Sequence, residues 1–282
     1  MNKVRLTDSI VSVQWLKENL AAENLIIFDA SMKPIVPIAN PMPEARVYIP
    51  GALRFDFDDI LTDHNTSLPH MMPGAEFFQE EMQKMGVNQD SAIVVYDKDG
   101  IYSSPRAWWM LRAMGHDSVA VLDGGLPAWI QAGYGTVPTP ATPRGRGDFV
   151  SRPQGGLFVD SRFVLQALAD PTYSVIDARS AGRFKGQEPE PRPGLRGGHM
   201  PNAVNIPHTS VLENGRLSSK SKLRSIFEQY KDKKMIFSCG SGVTSCVVAL
   251  AAEQAGYKNL AVYDGSWTEW GAPDSGLPVT TE

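Results

Sequence analysis

Four segments of this chain each have a similar counterpart later in the sequence, in the same order. This duplication constrains the fold more than any other feature. LIIFDAS (from residue 25) is echoed by YSVIDARS (173), and ARVYIPGALRFDFDDI (45) by RGGHMPNAVNIPHTSV (196). SAIVVYDKDGIYSSPRAWWMLRAMG (91) is echoed by KKMIFSCGSGVTSCVVALAAEQAG (233), and VAVLDGGLPAWIQAG (119) by LAVYDGSWTEWGAP (260). The order indicates duplication of a unit of about 120–130 residues, a typical domain size.

The stretch between the copies, GYGTVPTPATPRGRGDFVSRPQGG at 133–156, is rich in proline and glycine and almost free of apolar periodicity. Such a composition is typical of an exposed inter-domain linker. The sequence therefore predicts an N-terminal domain over residues 1–135, a linker over 136–156 and a C-terminal domain over 157–282.

Within each copy, short apolar strands alternate with helices. In the second copy YSVID, AVNI, KMIFSC and NLAVYDG are predicted strands, while SKLRSIFEQY and VTSCVVALAAEQAG have helical spacing. Near-continuous apolar strands that alternate with helices favour a parallel sheet covered on both faces. We therefore expect an α/β fold of two tandem domains, each a small parallel sheet with helices on both faces.

Composition and charge exclude several classes of partner. A formal charge of -4 and a pI near 5.8 argue against nucleic acid or an anionic membrane surface. No apolar run reaches the ~18 residues that span a bilayer, and the first twenty residues lack a secretory signal. Two cysteines are too few for a disulfide framework, so a reducing, cytoplasmic location is expected.

Both cysteines lie in MIFSCGSGVTSCVV at 235–248. Cys239 follows a predicted strand and precedes a predicted helix, at the edge of a parallel sheet where ligands bind. Gly240 and Gly242 allow the backbone to curl, so that the N–H groups of Gly240, Ser241, Gly242, Val243 and Thr244 surround an anion. Because such donors lower the pKa of a thiol, the loop predicts a nucleophilic cysteine.

The residues alone leave other roles for Cys239 open. It could be a small packed side chain at a strand end, or a redox sensor that forms a disulfide with Cys246 if the two Cα atoms lie within ~7 Å. We expect Cys246 to be a core position of the helix. With no histidine nearby, a zinc site is disfavoured, and we expect no metal or organic cofactor. Ser245 stands where a phosphatase loop of the Cys-x5-Arg type needs arginine.

The first copy carries Asp97 at the position that aligns with Cys239. A matching nucleophile is therefore missing there, and we expect the first copy to be catalytically silent.

These features resemble the tandem-domain rhodanese family of sulfurtransferases, and the resemblance covers nearly the whole chain. The matching segments are SLPHMMPGAEFF, SPRAWWMLRAMG, GRFKGQEPEPRPGLRGGHMP, CGSGVTSC and YDGSWTEWGA. The three residues after the cysteine, Gly240, Ser241 and Gly242, are neutral. In this respect the chain resembles family members that use 3-mercaptopyruvate, whereas members that use thiosulfate typically carry basic residues there.

The resemblance implies that Cys239 takes the sulfur of 3-mercaptopyruvate, releases pyruvate and holds a persulfide. A thioredoxin-like protein, a small thiol or cyanide then accepts the sulfur. Arg183 and Arg192 match the arginines that grip the substrate, although on sequence alone each fits an ion pair with Glu188 or Glu190 equally well. A thiosulfate:cyanide sulfurtransferase and a non-catalytic sulfur-carrier module are the alternatives.

A Ser–His–Asp relay proposed for the family would correspond to Ser241, His70 and Asp63, with His64 as a competing histidine. Such a relay would adjust the protonation of the substrate thiol or protonate the pyruvate enolate; the other reading of His70 is a turn residue. Two departures from the family pattern are Asn202, in place of glycine, and the segment VPIANPMPEARVYIPG at 36–51, in place of a charged one.

Overall fold

A computed structural model describes residues 2–33, 35 and 47–281, and the chain forms two compact units in it. The first unit comprises Met1–Asp63, Met72–Gln154 and Asn214–Leu217. The second comprises His64–Met71, Gly155–Glu213 and Ser218–Glu282. His64–Met71 therefore belongs to the second unit, although the chain on either side of it belongs to the first. Asn214–Leu217 belongs to the first unit, although the chain on either side of it belongs to the second. The predicted boundaries do not include these two segments.

Most residues of the predicted linker are exposed, and a few of them are anchored on the first unit. Phe149 is 1% exposed, its ring contacts Phe78, and its backbone N–H donates to Val87 O at 3.1 Å. Gln154 N donates to Ala113 O at 2.7 Å. Backbone hydrogen bonds and one buried aromatic side chain thus anchor a segment that is otherwise exposed and low in apolar content.

The first unit is built on a five-stranded parallel sheet in the order β1-β5-β4-β2-β3. Its strands are β1 (Ile10–Val11), β2 (Leu25–Asp29), β3 (Leu53–Arg54), β4 (Ala92–Tyr96) and β5 (Val119–Leu122). Its helices are α1 (Val13–Asn19), α2 (Ala75–Lys84), α3 (Ser104–Ala113) and α4 (Gly125–Gln131).

The second unit has a parallel sheet in the order β6-β12-β11-β7-β8. Its strands are β6 (Phe158–Val159), β7 (Tyr173–Asp177), β8 (Val204–Asn205), β11 (Lys234–Ser238) and β12 (Leu260–Tyr263); β9 (Leu212–Glu213) and β10 (Arg216–Leu217) lie outside this sheet. The helices are α5 (Ser161–Ala167), α6 (Ala181–Phe184), α7 (Lys220–Phe227), α8 (Ser245–Gln254) and α9 (Ser266–Trp270), with 3-10 turns at His208–Val211 and Glu228–Tyr230.

The two sheets have the same strand order, which confirms the duplication and the predicted α/β class. All of β4 is buried, as is β11 after its first residue. Burial along a whole strand requires cover on both sheet faces, because successive side chains point to opposite faces. In the second unit, Trp267 and Trp270 of α9 cover one face. None of the described helices is long and apolar enough to cross a membrane.

The two departures from the family pattern have different outcomes. Asn202 adopts a left-handed φ of 64°, which asparagine tolerates, and its amide donates to Leu168 O at 3.1 Å. The turn therefore forms without glycine. Most of the segment at 36–51 lies outside the described residues; within its last part, Tyr48 forms an isolated bridge with Val137.

Candidate active site

Cys239 lies directly after β11, at the carboxyl edge of the second sheet. Its backbone N–H donates to Ser266 Oγ at 3.2 Å, and its carbonyl accepts from Trp267 N at 3.0 Å. Ser266 has a left-handed φ of 49°, and its hydroxyl also donates to Tyr263 O at 2.8 Å. The start of α9 therefore fixes the position of the cysteine. The sequence analysis did not identify Ser266.

The Cys239 side chain is 2% exposed, so a charged sulfur here depends on local donors. Burial raises the pKa of the thiol, but donors from Thr244, Ser245 and Ser241 outweigh it and bring the pKa below its ordinary value. The Thr244 hydroxyl is the largest lowering contribution, followed by the N–H and hydroxyl of Ser245 and then the Ser241 N–H. The loop thus favours a thiolate, as the sequence predicts.

Ser245 is a further donor to the Cys239 sulfur. From the sequence it was noted only as the position at which a phosphatase loop needs arginine. Its hydroxyl is buried, and no group in the described part of the chain forms a hydrogen bond with it. A charged sulfur at Cys239 would gain this donor, which explains why Ser245 contributes to the lowered pKa. A hydroxyl at the first position of the helix that follows the cysteine was the available signal.

Cys246 is fully buried in α8, as expected, and neither of these two described cysteines is in a disulfide. Its thiol donates to Gly242 O at 3.3 Å. Gly242 has a φ of 74°, a conformation that favours glycine. Cys246 therefore ties the apex of the loop to the helix.

Arg183 and Arg192 both lie beside Gly240, the residue that follows Cys239. A Cβ atom on Gly240 would lie 3.3 Å from Arg183 Nη2 and 3.8 Å from Arg192 Nη1. The fold thus brings the two predicted substrate-binding arginines to the cysteine loop, and glycine at 240 leaves room for their guanidinium groups. Arg192 also lines a cavity of about 520 Å³ in the second unit, together with Thr268.

Arg183 also forms an ion pair with Glu190. Arg183 Nη2 lies 2.5 Å from Glu190 Oε2, and the side chains are 14% and 2% exposed, respectively. The other candidate partner, Glu188, instead accepts from the Ser180 hydroxyl at 2.7 Å. The ion pair and a position at the cysteine loop are therefore compatible, although the sequence analysis weighed them as alternatives.

His70 and Ser241 meet in the second unit. His70 Nδ1 lies 2.9 Å from Ser241 Oγ, and the two residues are 3% and 5% exposed. His70 has a φ of 63°, so its backbone forms a left-handed turn, and its part in a relay stays a prediction. Asp63 belongs to the first unit and His64 to the second, and the geometry of the third relay member stays a prediction.

The corresponding loop of the first unit is filled by the carboxylate of Asp97. One oxygen, Oδ2, accepts from Tyr102 N, Ser103 N, Ser104 N and Ser104 Oγ at 3.0, 3.0, 2.8 and 2.6 Å. The other oxygen accepts from Asp99 N at 3.0 Å. Asp97 is fully buried; burial raises its pKa, and these donors oppose the rise. The donors of this copy of the loop thus surround a carboxyl group of the chain itself, at the position that aligns with Cys239.

We expect Thr244→Val to raise the pKa of Cys239 by about one unit, because one hydrogen bond to a charged group contributes about 1.5 kcal/mol. A thiolate forms as the pH rises through this pKa, so the rate of Cys239 alkylation should reach its half-maximum at higher pH in the variant. Mass spectrometry of the alkylated peptide across pH measures the shift. Thr244→Ser retains the hydroxyl and should keep the original midpoint; the same midpoint in Thr244→Val would exclude this role of Thr244.

Comparisons with known proteins identify a family for this chain. The model of the rhodanese-like domain matches residues 12–132 and 162–273. The chain is 40% identical to 3-mercaptopyruvate sulfurtransferase of Escherichia coli K12, over 97% of this chain and 98% of that protein. It is 38% identical to the mitochondrial thiosulfate/3-mercaptopyruvate sulfurtransferase 1 of Arabidopsis thaliana, over 99% and 79%. A crystal structure of a 3-mercaptopyruvate sulfotransferase from Escherichia coli superposes with a TM-score of 0.79 at 38% identity, covering 93% of this chain and 99% of that one.

Proposed function

Because this chain belongs to the family of rhodanese-like proteins, we propose that it is a sulfurtransferase that moves the sulfur of 3-mercaptopyruvate to a thiol or cyanide acceptor. A persulfide on Cys239 would carry the sulfur between the two half-reactions. The observation that carries the proposal is a cysteine with a lowered pKa beside two arginines that suit an α-keto acid.

In the first half-reaction, Arg183 and Arg192 bind the carboxylate and keto oxygen of mercaptopyruvate. Their planar guanidinium groups match such a pair of oxygens better than ammonium groups would. The Cys239 thiolate attacks the substrate sulfur, an S–S bond forms, and the C–S bond breaks with its electron pair on carbon. The keto group delocalises this charge as the enolate, and a proton completes pyruvate.

The loop then holds the product persulfide. Once the outer sulfur has lost its proton, it can accept hydrogen bonds from the loop N–H groups. These are the N–H groups of Gly240, Ser241, Gly242, Val243 and Thr244. In the second half-reaction, the thiolate of a thioredoxin-like protein or of a small thiol attacks the outer sulfur, and Cys239 leaves as a thiolate. The low thiol pKa that assists the first attack also makes Cys239 a good leaving group.

No metal or organic cofactor takes part in the proposed cycle, because the cysteine carries the sulfur itself. In the described part of the chain, His, Cys, Asp and Glu form no group of three or more that would hold a metal ion. We also propose a cytoplasmic location, since a reducing compartment keeps Cys239 as a thiol between cycles.

His70 and Ser241 are proposed to move the proton from the substrate thiol toward the enolate, with Asp63 as the third member of the relay. The 2.9 Å distance from His70 Nδ1 to Ser241 Oγ supports the first link. The serine hydroxyl can exchange protons with the imidazole while the latter stays in place.

We expect His70→Asn to lower kcat for pyruvate release by about 100-fold with little change in KM, because general acid–base groups contribute about 10²–10⁴. Asparagine tolerates the left-handed turn at position 70 and places a polar atom near the position of the histidine Nδ1. Its amide, however, cannot accept and release a proton near neutral pH. Steady-state kinetics with His64→Asn as the matched control test the relay. Equal kcat for His70→Asn and the native protein would reject it.

Thiosulfate is the second candidate donor, because the Arabidopsis relative is named for both donors. Against it, the three residues after Cys239 are neutral here. The experiment is incubation with each donor, followed by mass measurement of the Cys239 peptide for one added sulfur atom and by comparison of kcat/KM. A persulfide and pyruvate from mercaptopyruvate, with lower kcat/KM for thiosulfate, are the expected results. Absence of both products would reject the proposal.

A further inference from the structure

We infer that Glu190 determines which sulfur donor this site prefers, by neutralising the substrate arginine Arg183 and fixing its orientation. The inference rests on the proposed function, since it concerns the binding of the donor. A keto acid with one negative charge would be favoured over thiosulfate, which carries two.

The two oxygens of Glu190 serve two different arginines. Oε2 accepts from Arg183 Nε at 3.2 Å and from Nη2 at 2.5 Å, while Oε1 accepts from Arg179 Nη1 at 2.7 Å. The Glu190 side chain is only 2% exposed. Water therefore screens this contact little, and Glu190 acts on Arg183 as a fixed negative charge.

Arg179 fixes the position of the Glu190 carboxylate through this hydrogen bond. Its guanidinium group is fully buried, pairs with Asp177 at 2.6 Å and stacks on the Trp267 ring at 3.9 Å. The Trp267 backbone N–H in turn donates to Cys239 O at 3.0 Å. Contacts thus run without a gap from the nucleophile's own backbone to Glu190, so the position of Arg183 relative to Cys239 depends on this carboxylate.

The charges of this group cancel. Asp177 and Glu190 contribute two negative charges, and Arg179 and Arg183 contribute two positive ones. Arg183 therefore offers donors to a keto or carboxylate oxygen while it exerts little net attraction on a second negative charge. Without the Glu190 carboxylate, the same guanidinium would present a full positive charge, which favours a dianion over a monoanion.

Glu190→Gln tests this inference because it removes the charge and keeps the shape. We expect the ratio of kcat/KM for thiosulfate to kcat/KM for mercaptopyruvate to rise about tenfold, equivalent to about 1.4 kcal/mol. Much of the change should come from a lowered KM for thiosulfate, because the unneutralised guanidinium attracts the second negative charge. Glu190→Asp keeps the charge and should leave the ratio near that of the native protein, even if both rates fall.

Glu188→Gln is the matched control, because Glu188 lies two residues away and bonds the Ser180 hydroxyl instead of an arginine. Its donor ratio should not change. An equal loss for both donors in Glu190→Gln, or the same ratio change in Glu190→Asp, would overturn the inference in favour of a purely structural role.

Two further measurements keep the outcome decisive. Should Glu190→Gln not fold, competition in the native protein replaces it: pyruvate, a monoanion, should inhibit more strongly than sulfate, and stronger inhibition by sulfate would overturn the inference. Persulfide formation on native Cys239 is measured first. Its absence rejects the proposed function, whereas its presence together with an unchanged donor ratio in Glu190→Gln rejects only the role of Glu190.

Discussion

Cys239→Ser is expected to release pyruvate from 3-mercaptopyruvate about 10⁴-fold more slowly than the native protein, or not measurably, as when other enzymes lose their nucleophile. The serine hydroxyl stays protonated at neutral pH and cannot hold sulfur as a persulfide. The loop donors that favour a thiolate at Cys239 cannot ionise a hydroxyl to a useful extent. Pyruvate release and the mass of the peptide that contains residue 239 measure both consequences.

The fold should not change in this variant, because the backbone hydrogen bonds of residue 239 to Ser266 and Trp267 do not involve the sulfur. Cys246→Ser is the matched control. Its hydroxyl can still donate to Gly242 O, so the loop keeps its tie to α8 and activity should remain within a few-fold. Turnover in Cys239→Ser, or an added sulfur atom on Cys246, would show that the nucleophile has been misassigned.

The sequence was sufficient for the architecture and for the position of Cys239 after a buried strand. Burial along β11 makes an apolar run, and a strand that ends in a cysteine and a glycine-rich turn is a local pattern. The duplication predicted that the two copies form the same kind of sheet, and their strand orders are the same. Each of these signals lies within a continuous stretch of chain, which is why it could be interpreted without a structure.

Contacts between distant segments could not be predicted from such local patterns. His70 lies 171 positions before Ser241, and its contact with that residue required the family resemblance as a guide. The contacts that anchor parts of the predicted linker could not be predicted for a related reason, because they depend on partners such as Val87 and Ala113. The pairing of Glu190 with two arginines was not predicted either, since it joins Arg183 to the buried Arg179.

Asp97→Ala is expected to lower the free energy of unfolding of the first unit by about 3 kcal/mol or more. The carboxylate accepts from four backbone N–H groups and the Ser104 hydroxyl inside the protein. Alanine would leave these buried donors without an acceptor, at a cost of about 1–3 kcal/mol for each donor that water does not reach. Urea denaturation measures the loss, and hydrogen exchange should quicken in residues 97–113 but not in the cysteine loop.

Asp97→Asn makes the test graded, because the amide keeps one acceptor oxygen and loses only the second. If that oxygen takes the Oδ2 position, only the contact with the Asp99 N–H is lost, and the expected loss is about 1 kcal/mol. Asp117→Ala, an exposed aspartate of the same unit, should change stability by no more than about 0.5 kcal/mol. If Asp97→Ala were as stable as Asp117→Ala, the loop would not need an anion for its fold. The expected order, alanine below asparagine below native, would instead mean that the loop of the first copy is built around the carboxyl oxygens of Asp97.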